Sequence, residues 1–153
     1  MRLLQSVKLS VFAKPSEGEN VAAITQALKE LVPLDLVEEK IAVMDETAQG
    51  FHEQPIHIIS ITLTKQTHTT AFLKSLLANL TDAQKELLLQ QKESRLDNEL
   101  AFFIRLDKEQ WLAHRQAVIT DSGRCFHITL HLAAYPARRP DALELVEKIF
   151  KPN

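Results

Sequence analysis

Three sets of residues in this chain have the chemistry to do something: its histidines, its one cysteine, and a group of basic residues in the C-terminal half. The six histidines raise the question of a metal. His127 and His131 are four apart in a stretch that reads as a strand. They share a face, but about 3.3 Å of rise per residue leaves them about 13 Å apart, too far to chelate one ion. His52, His57, His68 and His114 form no helical His-carboxylate pattern, and a zinc site needs three or four converging ligands. No metal is therefore expected. Cys125 follows Arg124, and a neighbouring cation can lower a thiol pKa. A lone cysteine is more often a small apolar residue in a core, and that is the expectation here. The three glycines, at 18, 50 and 123, are too scattered for a phosphate-cradling loop. No set of catalytic residues converges, and no cofactor is implied.

The basic residues are the remaining candidates. Arg95, Arg105, Lys108, Arg138 and Arg139 could contact phosphates, because the guanidinium fork matches phosphate oxygens. Arg95 and Asp97 open the stretch RLDNELAFFIRLDK, and Arg105, Asp107 and Lys108 close it. Residues two apart on a strand share a face, so each Asp could equally neutralise its Arg. On the residues alone, a solvated, salt-bridged face is somewhat favoured over a phosphate-binding one. Formal net charge is −2, so bulk electrostatics do not point to nucleic acid. The distribution is uneven, however. Arg105 to Arg139 holds six Lys/Arg against three acids.

Several elements must position these groups. Arg95 to Lys108 alternates, with Leu96, Leu100, Phe102, Ile104 and Leu106 on one parity and charges largely on the other. One long strand with a buried and a polar face is predicted. Leu3 to Ala13 alternates in the same way, setting Ser6, Lys8 and Ser10 against Val7, Leu9 and Val11. Pro15 stops it. Ser16 and Glu19 form a capping pattern for a helix to about Val32, ended by Pro33. Val37 to Met44 reads as a short edge strand, Asp45 to Gln54 as a loop, and Pro55 to Thr64 as a buried, β-branched strand. Thr67 to Thr70 opens a helix carrying Phe72, Leu73, Leu76, Leu77 and Leu80. Thr81 and Gln84 cap another through Leu87, Leu88 and Leu89. Asp107 caps a short helix from Lys108 to about Ala113, with Trp111 inward. Asp121-Ser122-Gly123 is a turn. Phe126 to Ala134 is the last strand, and Pro140 stands in the first turn of the last helix.

The layout predicts an α+β fold, a two-layer sandwich with a mixed or antiparallel sheet and helices mainly on one face. At 153 residues with 45% hydrophobic and 25% charged residues, a single domain, 1–153, is expected. No apolar run reaches the roughly 20 residues of a membrane helix. The N-terminus lacks a signal-peptide pattern, and one cysteine forms no intrachain disulfide. The cytoplasm is the expected compartment.

The segment RLDNELAFFIRLDKEQW resembles the signature of an archaeal family of RNA-binding proteins, or predicted exosome subunits. The residues that carry the resemblance are Arg95, Asp97, Arg105, Asp107, Lys108 and Gln110. The run Gly50-Phe51-His52-Glu53-Gln54-Pro55-Ile56 resembles a second block of that family, with Glu53 or Gln54 where a glycine is usual. The strand from Ser6 to Phe12 and the Tyr135-Pro136 region fall in the same order. The resemblance implies a fold similar to the ribosomal protein that binds five-S ribosomal RNA, and a homodimer. It also implies an RNA-binding role without catalysis, as an accessory to an RNA-processing complex. Arg95, Arg105, Lys108, Arg138 and Arg139 would then be the RNA contacts. The alternative is a protein-interaction or dimerisation module that touches no RNA.

Overall fold

The structure, a computed structural model, describes residues 2–49 and 54–152. Five strands occur among them: β1 (Leu4–Ala13), β2 (Val43–Gln49), β3 (Pro55–Leu63), β4 (Ala101–Asp107) and β5 (Cys125–Leu132). They form one sheet in the order β2-β3-β1-β5-β4. The helices are α1 (Val21–Lys29), α2 (Gln66–Asn79), α3 (Asp82–Gln90), α4 (Lys92–Arg95), α5 (Lys108–His114) and α6 (Arg139–Phe150). β2 runs antiparallel to β3. Backbone bonds tie the end of β5 to the start of β1 (Ala133 N–H to Leu3 O, 2.9 Å) and to the approach to β4 (Leu132 N–H to Leu100 O, 3.0 Å). Those strands are therefore antiparallel as well. The fold is α+β, as the sequence predicts.

The predicted strand from Arg95 to Lys108 is broken. Lys92–Arg95 is a helical turn, Leu96 bridges to Phe102, and only Ala101–Asp107 is β4. Asp97 causes the break. Its Oδ1 accepts from the N–H groups of Glu99 and Ala101, both at 2.9 Å, and its own N–H bonds Ala101 O at 3.0 Å. Leu100 takes a left-handed φ of 63° to close the turn. An Asp side chain that bonds the backbone just ahead of it offers a turn in place of a ladder. The two Arg-Leu-Asp triplets thus lie on different elements, although alternation holds from Phe102 to Leu106.

The predicted strand from Val37 to Met44 is displaced. Asp35 organises a turn there: its Oδ1 accepts from Glu38 N–H at 3.0 Å, its carbonyl from Glu39 N–H at 2.9 Å, and Lys40 has φ 57°. The strand begins at Val43 and pairs with β3 from Val43↔Ile61 to Gln49↔Pro55. Asp45–Gln49, expected to be loop, are strand. The β-branched run of β3 provides a ladder that overrides the poor strand preference of Asp45 and Glu46. Gly50 to Glu53, including His52 and most of the second resemblance block, lie outside the described residues. Helix α1 is also capped differently from the prediction. Pro15–Glu17 form a single tight turn, and Asn20 Oδ1, not Ser16, accepts from Ala23 N–H at 3.0 Å.

By its contacts the chain divides into two compact units. The first comprises the residues up to Val7, Leu63–Ile104 and those from Thr129 on. Its core holds Phe72, Leu76, Leu88, Phe102, Leu130, Val146 and Phe150, with the rings of Phe102 and Phe150 5.5 Å apart. Helix α6 packs against α3 and α4. Thr81 and Gln84 form the reciprocal cap of α3 (Gln84 N–H to Thr81 Oγ1, 3.1 Å; Thr81 N–H to Gln84 Oε1, 2.8 Å). Thr81→Ala is expected to cost about 1 kcal/mol in urea unfolding. Lys8–Thr62 and Arg105–Ile128 make the second unit. Here α1 packs on α5, and Trp111 is buried with Nε1–H donating to Ala27 O at 2.8 Å. Leu9, Val11, Ile59, Ile61, Leu106, Phe126 and Ile128 complete its core.

Candidate nucleic-acid interface

Three of the five basic residues singled out in the sequence belong to the first unit and two to the second. In the first, Arg139 is half-buried. It donates to Leu96 O (3.0 Å) and Glu93 O (2.7 Å), and its Nη2 lies 3.3 Å from a Glu93 carboxylate oxygen. It therefore caps orphan carbonyls at the end of α4, a structural task for a cation. Arg95, also half-buried, donates to Gln91 Oε1 (2.9 Å) and Phe103 O (3.1 Å). The latter bond covers part of the outer edge of β4. Arg138 is the most solvent-exposed of the three, with its Nε 3.0 Å from Asp141 Oδ2.

In the second unit Lys108 is buried, with 4% of its surface exposed. Its ammonium pairs with Glu19 Oε2 at 2.8 Å and donates to Phe12 O at 2.5 Å. Glu19 also accepts from Lys14 N–H at 2.9 Å, and Arg124 stands 3.9 Å away. Burial raises the Glu19 carboxyl pKa, but hydrogen bonds from Lys108 and Lys14 N–H and the charges of Lys108 and Arg124 outweigh it. The net shift is downward. A lysine so enclosed holds the start of α5 to the end of β1 and does not reach solvent, so it is removed from the phosphate-contacting set. Arg105, by contrast, is exposed, with one Nη donating to Asp121 O at 3.1 Å. Arg124, outside the five basic residues singled out in the sequence, is also largely exposed, with its Nη2 3.3 Å from Glu109 Oε1.

The register of β4 and β5 sets what surrounds Arg105. Lys108 N–H bonds Arg124 O at 3.1 Å. Counting inward puts Arg105 directly opposite His127. Strand alternation turns both away from the core, together with Lys8, Ser10 and Phe12 of β1, the strand next to β5. Burial lowers the His127 pKa, and the Arg105 charge lowers it further, so the imidazole is held neutral. Phe12 is 44% exposed. The free side of β4 is closed within this unit by residues 118–120: Asp107 N–H bonds Val118 O (2.7 Å) and Thr120 N–H bonds Arg105 O (3.0 Å). What remains open is the face, not the edge.

Cys125 is buried, and burial pushes its thiol pKa up against the cations Arg105 and Lys108. It is a core residue. Among the described residues no three His, Cys, Asp or Glu side chains converge on a metal site. His57 Nδ1 lies 2.9 Å from Asp45 Oδ1, a cross-strand pair at the surface.

This α+β fold is shared with solved structures of the DUF54 class. A protein of Archaeoglobus fulgidus superposes with TM-score 0.83 at 24% identity, covering 95% of this chain and 99% of the other. One of Methanothermobacter thermautotrophicus gives 0.76 at 21%, covering 97% and 99%. The chain itself belongs to the family described as RNA binding, whose model matches residues 6–132. It is also 21% identical over 131 residues to an RNA-binding protein of Pyrococcus abyssi, covering 85% of this chain and 84% of that protein. Together these support a general RNA-binding role.

Proposed function

We propose that the protein binds single-stranded RNA, without catalysing a reaction on it, through the open sheet face of the second unit. The observation that carries this is the placing of Phe12, Lys8 and Arg105 on one solvent-turned face around a neutral imidazole. A sheet presenting an aromatic ring can stack an unpaired base, while flanking cations meet the backbone. Lys8 and Arg105 supply the phosphate contacts. His127 supplies one donor and one acceptor to a base edge. Arg124, beside the buried Glu19–Lys108 pair, is itself paired with Glu109 at 3.3 Å and adds little net charge to this face. Of the basic residues named from the sequence, Arg105 is central to this reading. Accessory service to an RNA-processing complex is kept within the proposal on the strength of the family resemblance alone.

The test is fluorescence anisotropy with labelled single-stranded RNA across a salt series. Affinity should fall steeply with salt. Arg105→Ala should reduce the logarithmic salt slope by about 0.7 and weaken binding equally for all sequences. A wild-type protein that binds no RNA at low salt would overturn the reading.

A second reading, a protein-interaction or dimerisation module, is favoured by one feature of the same unit. Met44 is half-exposed, and it shares its face with the partly exposed Ile56 and Ile58 of β3. Sedimentation of the pure protein over a concentration range separates the two. Self-association abolished by Met44→Lys, with RNA affinity absent, supports the second reading.

A further inference from the structure

We infer that the first unit holds a separate pocket for an unpaired guanine base, formed by Tyr135, Glu144 and Lys148. The inference rests on the RNA-binding reading but uses a different unit and different residues.

A recess of about 310 Å³ opens where the chain leaves β5 and enters α6. Tyr135, Asp141, Glu144, Leu145 and Lys148 line it. Tyr135 is 98% exposed, the most exposed large hydrophobic side chain among the described residues. An aromatic ring so presented, beside a recess of base size, is a stacking surface. Glu144 and Lys148 are four apart on α6 and so stand on one side of the helix. Neither head group has an ion-pair partner among the described residues, so both remain available at the rim. Asp141 is already paired with Arg138 (3.0 Å), which leaves Glu144 as the available carboxylate.

A free carboxylate beside a free ammonium selects among bases. Guanine alone offers two adjacent donors, N1–H and the N2 amino group, with an acceptor, O6, next to them. Glu144 accepts from the two donors and Lys148 donates to O6, while Tyr135 stacks on the ring and Leu145 provides an apolar contact. Adenine turns its N1 lone pair towards the carboxylate. Uracil offers one donor flanked by two acceptors, and cytosine one amino group beside two acceptors. A site built for paired donors rejects bases that lack them. Arg138, next to this recess and largely exposed, meets Asp141 through Nε, which leaves its Nη groups for the adjoining phosphate.

The test compares anisotropy titrations of labelled UUUUU, UUAUU and UUGUU. A single guanine avoids self-association of the RNA. Wild-type protein should bind UUGUU about tenfold more tightly than the other two. Glu144→Ala should remove that preference, so that UUGUU, UUAUU and UUUUU bind within about twofold of one another. Alanine favours helix, so the fold is retained. Tyr135→Ala should weaken UUGUU more than UUUUU. Equal affinity of the wild type for all three RNAs overturns the guanine pocket and leaves the RNA-binding reading intact, as does a preference that survives Glu144→Ala. No binding to any of the three at low salt overturns both.

Discussion

Lys108→Ala should destabilise the protein by about 3–5 kcal/mol, because it strands the Glu19 carboxylate without its buried partner. Glu19 and Lys108 side chains are 11% and 5% exposed, and Lys108 also satisfies Phe12 O. For a chain of this length such a loss lowers the melting temperature by about 6–20 °C. Calorimetry of the single variants should be set beside the double variant Glu19→Leu/Lys108→Met. If the cost arises from an uncompensated charge, the double replacement should be milder than Lys108→Ala. Equal losses would show that shape, not charge, is what the site requires. The pair also makes a prediction about pH. The Glu19 pKa is lowered from the ordinary 4.5 on folding. Its contribution to stability is therefore present above that value and is lost as pH falls through the lower folded pKa. Glu19→Gln should flatten that part of the acid limb of the stability curve.

Phe12→Ala should weaken single-stranded RNA binding by about 1–3 kcal/mol, the usual worth of one base stacked on an aromatic ring. That is a loss of about 5- to 150-fold in affinity. Phe12 is 44% exposed, so unfolding should change far less than binding. Phe12→Trp should retain binding, since any aromatic face serves. A Phe12→Ala protein with wild-type affinity and salt slope would remove the sheet face of the second unit as the RNA contact. The family role would then have to be served elsewhere on the protein. Combined with Arg105→Ala, the two losses should nearly add, because one acts on a base and the other on a phosphate across an intervening strand.

Much of the local structure could be read from residue order. Alternation marked β1 and the run from Phe102 to Leu106, and the same alternation already put Lys8 and Ser10 on the polar side of β1. The Thr81–Gln84 cap, the Asp107 cap of α5 and the inward Trp111 follow from side chains acting within four residues of themselves. Where short-range signals competed, reading failed. Asp97 and Asp35 each bond the backbone just ahead of them and turn the chain, although the flanking residues favour strand. At Asp45–Gln49 the reverse occurred, and a partner strand 6 to 14 residues away in sequence recruited residues with little preference for it.

Sequence alone determined the α+β fold class, the buried parity of the strands, most of the helices and the resemblance to an RNA-binding family. All of these depend on periodicity, near-neighbour hydrogen bonds or motif order, which a linear string retains. Tertiary structure alone decided which cations face solvent. Lys108 and Arg139 are ordinary basic residues in the string, yet one is enclosed by Glu19 and Phe12 and the other holds the end of α4. Arg105 stays exposed opposite His127, and Tyr135 stands open beside Glu144 and Lys148. The physical reason is that a charge's availability depends on what long-range folding brings within about 4 Å of it, and those partners lie up to 96 residues away.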